Sequence, residues 1–116
     1  MLRIWIDPKT GKRIKILGNR YRMKYKKVAA HAAIRAFVHR RDNFTCRTCG
    51  ISANPPANYD GREALLATDN QTIMVVDHIL SLRRGGTNHP SNLQTLCDSC
   101  NARKSCLIEG AGGVYA

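Results

Sequence analysis

Two Cys-x-x-Cys pairs, Cys46/Cys49 and Cys97/Cys100, bracket an Asp77-His78 dipeptide, with Asn92, Asn101 and Lys104 standing between and beside them. A Cys-x-x-Cys turn presents two thiolates to one ion, and two such turns complete the tetrahedral shell that structural Zn²⁺ prefers. The pairs are 47 residues apart, longer than in short zinc ribbons, so the gap has room for strands and a second site. A redox dithiol and buried free thiols are the competing readings; the doubled spacing favours zinc. Cys106, six residues past Cys100, falls across the helix from the ligand side and reads as a small hydrophobe. The Asp, the His and the two Asn suggest a second, working metal site. An imidazole titrates near ~6.5 and is largely neutral at pH 7, so it can accept a proton. Carboxylate and amide oxygens are hard ligands suited to Mg²⁺ or Mn²⁺.

These residues need elements to hold them. Ile73-Met74-Val75-Val76 is apolar and β-branched, which predicts a buried strand running into Asp77-His78. Arg83 to Asn92 holds Gly85-Gly86, Asn88 and Pro90 and predicts a loop. Leu93 to Leu96 predicts a second strand, and from about Asp98 the pattern turns helical to about Ile108. The result is strand–loop–strand–helix, an α+β unit that would gather Asp77, His78 and Asn101 at one end. Upstream, Leu2 to Ile6 and Arg13 to Ile16 predict a hairpin around Asp7-Pro8-Lys9-Thr10-Gly11. Val28, Ala29, Ala32, Ala33, Ala36 and Phe37 recur at helical spacing over Lys26 to Arg41, with His31, Arg35, His39 and Arg40 expected outside. Residues 51–63 read as loop, Ala64 to Ala67 fit either a helical turn or a strand, and Gly110 to Ala116 read as a frayed tail. The expected division is a basic arm over 1–25, a main domain over 26–108 and a tail over 109–116.

The charge is uneven. Residues 1–41 hold 13 Lys/Arg against one acid, Asp7, whereas residues 42–116 hold 6 against 7, for a net +11 overall. A positive field confined to one third of the chain fits a polyanion partner, most often nucleic acid. Binding carried by such charges weakens steeply with salt. No stretch is apolar for long enough to span a membrane. Met1 to Gly11 lacks the apolar core of a signal peptide, so a cytoplasmic, reducing compartment is expected, where paired cysteines bind metal.

The motifs resemble the HNH endonuclease family. The resemblance rests on Cys46-Arg47-Thr48-Cys49-Gly50, Val76-Asp77-His78-Ile79, Gly85-Gly86-Thr87-Asn88, Asn92-Leu93-Gln94-Thr95-Leu96-Cys97 and Cys100-Asn101-Ala102-Arg103-Lys104. It covers roughly residues 35–106 and is similar above all to the small HNH proteins of phages and prophages. It implies a ββα-metal, treble-clef-like fold with a four-Cys zinc. It implies His78 as general base, Asp77 as ligand of one catalytic divalent ion, and Asn92 bonding backbone groups so that His78 is aimed. Asn101 stands where the family commonly has His, and its amide oxygen would be the second ligand. The implied activity is hydrolysis of DNA, expected to be double-stranded, leaving 5′-phosphate and 3′-hydroxyl ends. Arg83, Arg84, Lys104 and Arg35 are the candidate phosphate contacts. Two other functions fit the same residues: a non-catalytic zinc DNA-binding module, and an accessory of phage DNA packaging with a terminase partner in a bacterial host.

Overall fold

The computed structural model describes residues 3–16 and 28–109. The expected starts of the first strand at Leu2 and of the helix at Lys26, the tail beyond Glu109, and the side chains of His31 and Cys106 lie outside the described residues.

Strands β1 (Arg3–Ile6) and β2 (Arg13–Ile16) form the expected antiparallel hairpin, with Ile6 opposite Arg13. Asp7 closes the turn: its carboxylate accepts from the Lys9 amide at 3.0 Å and the Thr10 hydroxyl at 3.1 Å. Alternation along β2 exposes Arg13 and Lys15 and buries Ile14 and Ile16. Those two isoleucines pack with Ile34, Val38 and Leu93, so the hairpin shares a core with the helix that follows.

Helix α1 (Val28–Arg41) has Ala32, Ile34, Ala36, Val38 and His39 all buried. Helical spacing locates one apolar face; here two flanks are covered. Ile34 and Val38 meet the hairpin and Leu93, while Ala36 joins Tyr59, Leu65, Met74 and the cysteines. The loop over 58–63 lies directly on the helix: a Cβ on Gly61 would stand 2.0 Å from the Ala32 carbonyl oxygen. The expectation of an outward His39 is therefore corrected, since its side chain is 0% exposed. Arg35 and Arg40 are half-buried and donate to the carbonyls of Gly61 and Tyr59.

Strands β3 (Leu65–Leu66), β4 (Ile73–His78) and β5 (Leu93–Cys97) make one antiparallel sheet in that order. Ala64 to Ala67 thus resolves as strand. Helix α2 (Asp98–Glu109) begins at the residue after β5, with no linker. Register sorts the side chains: Val76 lies opposite Thr95 and His78 opposite Leu93, whereas Val75 lies opposite Leu96 and Asp77 opposite Gln94. Successive residues of a strand point to opposite faces. Thr95 and Leu93 meet α1, and Asp77 meets α2. The sheet accordingly lies between the two helices, with Asp77 on the α2 face and His78 on the α1 face. Among the described residues, no helix is long and apolar enough to cross a membrane.

Candidate metal and active site

The ligand atoms of Cys46, Cys49, Cys97 and Cys100 all lie within 4.8 Å of one another. Cys49 Sγ and Cys97 Sγ are 3.8 Å apart. A tetrahedron with metal–sulfur bonds of about 2.3 Å has edges of about 3.8 Å, so the cluster has the size of a zinc shell. The Cys49 amide points at Cys46 Sγ and the Cys100 amide at Cys97 Sγ, each at 3.4 Å. Burial pushes the Cys46 thiol up, but the amides of Cys49, Cys97 and Thr48 outweigh it and leave the group at about 6. Burial, reinforced by the neighbouring thiols, pushes Cys100 up to about 12. Burial raises Cys97 too, against the lowering effect of the Cys100 amide and thiol. Four sulfurs this close cannot all ionise without a cation among them, and the donor set could bind zinc.

The first knuckle is tied to the sheet. The Arg47 amide donates to the Thr95 carbonyl at 3.0 Å, and the Thr95 amide to Asp42 Oδ2 at 2.8 Å. Burial would raise the Asp42 carboxyl, but the Arg41 guanidinium and the Thr95 amide outweigh it and hold it low. Arg41 also donates to the carbonyls of Pro90 at 2.8 Å and Leu93 at 2.6 Å, which joins the end of α1 to the entry of β5.

Asp77 and His78 end β4. Asp77 is buried, and its Oδ2 accepts from Gln94 Nε2 at 3.0 Å and pairs with Lys104 Nζ at 3.1 Å. Lys104 Nζ also donates to the His78 carbonyl at 2.9 Å, so one ammonium pins the strand end to α2. Asn101 is half-buried on α2, three residues before Lys104; residues at that spacing share a helix face. On the other face, His78 Nε2 stands 2.8 Å from Asn88 Oδ1. A cavity of about 530 Å³ lies on this side, lined among others by Ile34, Tyr59, Val76, His78 and Asn88.

Asn92 organises the loop between the strands. Its Oδ1 accepts from the Leu80 amide at 2.9 Å, and its Nδ2 donates to the carbonyls of Leu80 at 2.9 Å and Thr87 at 2.8 Å. Gly86 fits only as glycine here: a Cβ would lie 1.9 Å from the Leu80 carbonyl oxygen and 2.8 Å from Asn92 Nδ2. Arg83 and Arg84 are exposed on a 3₁₀ turn, Leu82–Arg84, within this loop. His89 caps the next turn, its Nδ1 accepting from the Ser91 amide at 3.0 Å. The structure thus brings Asp77, His78, Asn92 and Lys104 into one neighbourhood. Arg35, on α1, lines the same cavity as His78, but its guanidinium is engaged by the Gly61 carbonyl.

Two partners escaped the sequence reading. Asn88 was legible only as a loop residue, because nine residues of loop separate it from His78 and no periodicity links them. Gln94 sits opposite Asp77 once the strands pair, which alternation from Leu93 onward could have shown.

A family model described as HNH endonuclease matches residues 61–106. No curated protein and no solved structure gives a match. The matched stretch contains β3, β4, the Asn92 loop, β5 and most of α2. By that match, the stretch that carries the Asp-His and both Asn is similar to the HNH endonuclease family.

Proposed function

We propose that the protein is a metal-dependent endonuclease that hydrolyses DNA phosphodiester bonds, by nicking or double-strand cleavage of low sequence specificity. What supports this reading above all is the end of β4: a buried carboxylate and a half-exposed imidazole on consecutive residues, under a loop locked by Asn92. His78 acts as general base. The water oxygen bonds to phosphorus as its proton passes to the imidazole, the P–O3′ bond breaks, and the 3′ oxygen leaves and is protonated. The ends are a 5′-phosphate and a 3′-hydroxyl.

The residues fit a hard divalent ion. Among the described residues, the Gln94 hydrogen bond and the Lys104 ion pair fall on Asp77 Oδ2, and Oδ1 would hold Mg²⁺ or Mn²⁺, with the Asn101 amide oxygen on the facing helix as second donor. Such an ion would supply stabilisation of the charge growing on the leaving oxygen. Asn92 positions the loop and touches no substrate. Zinc on the four cysteines is structural, and β4–β5–α2 is the ββα-metal unit of a nuclease domain over 26–108, with the hairpin packed on it. Double-stranded DNA is the substrate, and Arg83, Arg84, Lys104 and Arg35 contact its phosphates. The setting that goes with this reading is the cytoplasm, of a bacterial host where the gene is a phage's; a terminase partner belongs to the rival reading as a packaging accessory.

One observation favours a second reading, a non-catalytic zinc DNA-binding module: Lys104 already gives Asp77 a positive partner at 3.1 Å. Incubating supercoiled plasmid with protein and Mg²⁺ or Mn²⁺ separates the two. The nuclease nicks it, and His78→Ala abolishes nicking without changing the fold seen by circular dichroism. A wild-type protein that cuts under neither metal, yet binds DNA, leaves the module.

A further inference from the structure

We propose that Asn88 is the positioning residue that sets the tautomer of His78. This inference rests on the reading of His78 as general base. A general base needs a lone pair on the nitrogen that meets the water. A neutral imidazole has one such nitrogen, and the hydrogen bond made by the other decides which it is. Here Nε2 faces the amide oxygen of Asn88 at 2.8 Å. An amide oxygen only accepts, so Nε2 carries the ring proton and Nδ1 keeps its lone pair.

The arm that holds the ring is itself held. Asn88 is 7% exposed. Before it, the Thr87 carbonyl accepts from Asn92 Nδ2 at 2.8 Å; after it, the His89 amide donates to Thr87 Oγ1 at 3.2 Å. Asn92 therefore acts on His78 through Asn88 as well as through Leu80. The choice of an amide has chemical content. A carboxylate in this place would select the same tautomer but would also stabilise the imidazolium, which cannot serve as a base. A neutral acceptor orients without charging.

The test reads His78 directly, by ¹⁵N NMR of the neutral ring, alongside plasmid nicking in the full chain. In wild type the Nε2–H tautomer is expected. Asn88→Asp, close in shape, still offers an accepting oxygen and should keep that tautomer in the neutral ring. Asn88→Leu, close in volume, offers none. It should give mixed tautomers and a nicking rate about 10-fold to 100-fold lower, a loss at or below the lower end of what proton transfer contributes, because part of the ring population keeps the productive tautomer. If Asn88→Leu does not fold, Asn88→Ala, which also offers no acceptor, is read in its place. An Nδ1–H tautomer in wild type, or an unchanged Nε2–H tautomer in folded Asn88→Leu, overturns the proposal. If His78→Ala still nicks, the general-base reading fails while the NMR result still decides whether Asn88 fixes the ring.

Discussion

His39 offers a perturbation whose size follows from the fold. The ring is 0% exposed, its Nδ1 lies 2.9 Å from Thr95 Oγ1, and among the described residues its Nε2 has no hydrogen-bond partner. Burial, then the nearby Arg35 charge, lowers it from 6.5 to about 4, and Asp42 opposes them only in part. The native state thus resists a proton that the unfolded chain accepts. Stability from this group is fully present above pH 6.5 and is lost progressively as pH falls towards about 4. Each tenfold drop in proton affinity on folding is worth about 1.36 kcal/mol, so the full loss is roughly 3 kcal/mol, of which about 2 kcal/mol is gone by pH ~5. Urea unfolding of zinc-loaded protein at pH 7 and pH 5 reads this loss. His39→Gln keeps a group that can bond Thr95 but cannot titrate. It should lose about 2 kcal/mol less than wild type over that interval, because proton competition for the cysteines is common to both. Parallel losses in the two proteins would refute the argument.

Two more substitutions probe the loop and the metal. Gly86→Ala must push the loop off Leu80 and Asn92; plasmid nicking should fall at least about 10-fold, by the kind of small misplacement that costs catalysis heavily, while thermal unfolding changes modestly. Cys97→Ser should release zinc and unfold the chain at room temperature, since apparent zinc energies of about 10–16 kcal/mol rival the whole stability of a domain. Asp77→Ala should keep its zinc, measured by metal analysis, and equal small stability losses in the two variants would count against a four-thiolate structural site.

The elements that carry strong local signals were legible. The hairpin announced itself through its turn residues and alternation, β4 through its β-branched run, and the thiolate cluster through spacing alone. What stayed hidden depended on neighbours far along the chain. His39 and Arg35 looked like surface residues because helical spacing reports one buried face and says nothing of a second layer, here the hairpin and the 58–63 loop. The two-residue β3 exists because β4 offers it an edge, which no local propensity encodes. Lys104 was legible as a cation one turn past Asn101, but its partner Asp77 was not, because that pairing needs the angle between α2 and β4. Asn88 was placed beside His78 by the loop that Asn92 closes.

The alternation of β4 has a consequence for how this site can fail. Asp77 answers to α2, and through α2 to the cysteine cluster where that helix begins; His78 answers to Asn88 and the cavity beside α1. On the proposed roles, ion holding and proton transfer are mechanically separate, fed from opposite sides of one strand. Damage propagates to whichever side it starts on. A shifted α2 weakens the grip on the ion first; a disturbed cavity wall spoils the base first. The two functions meet at the end of β4, where the Lys104 ammonium touches the Asp77 carboxylate and the His78 carbonyl, and there a single change disables both.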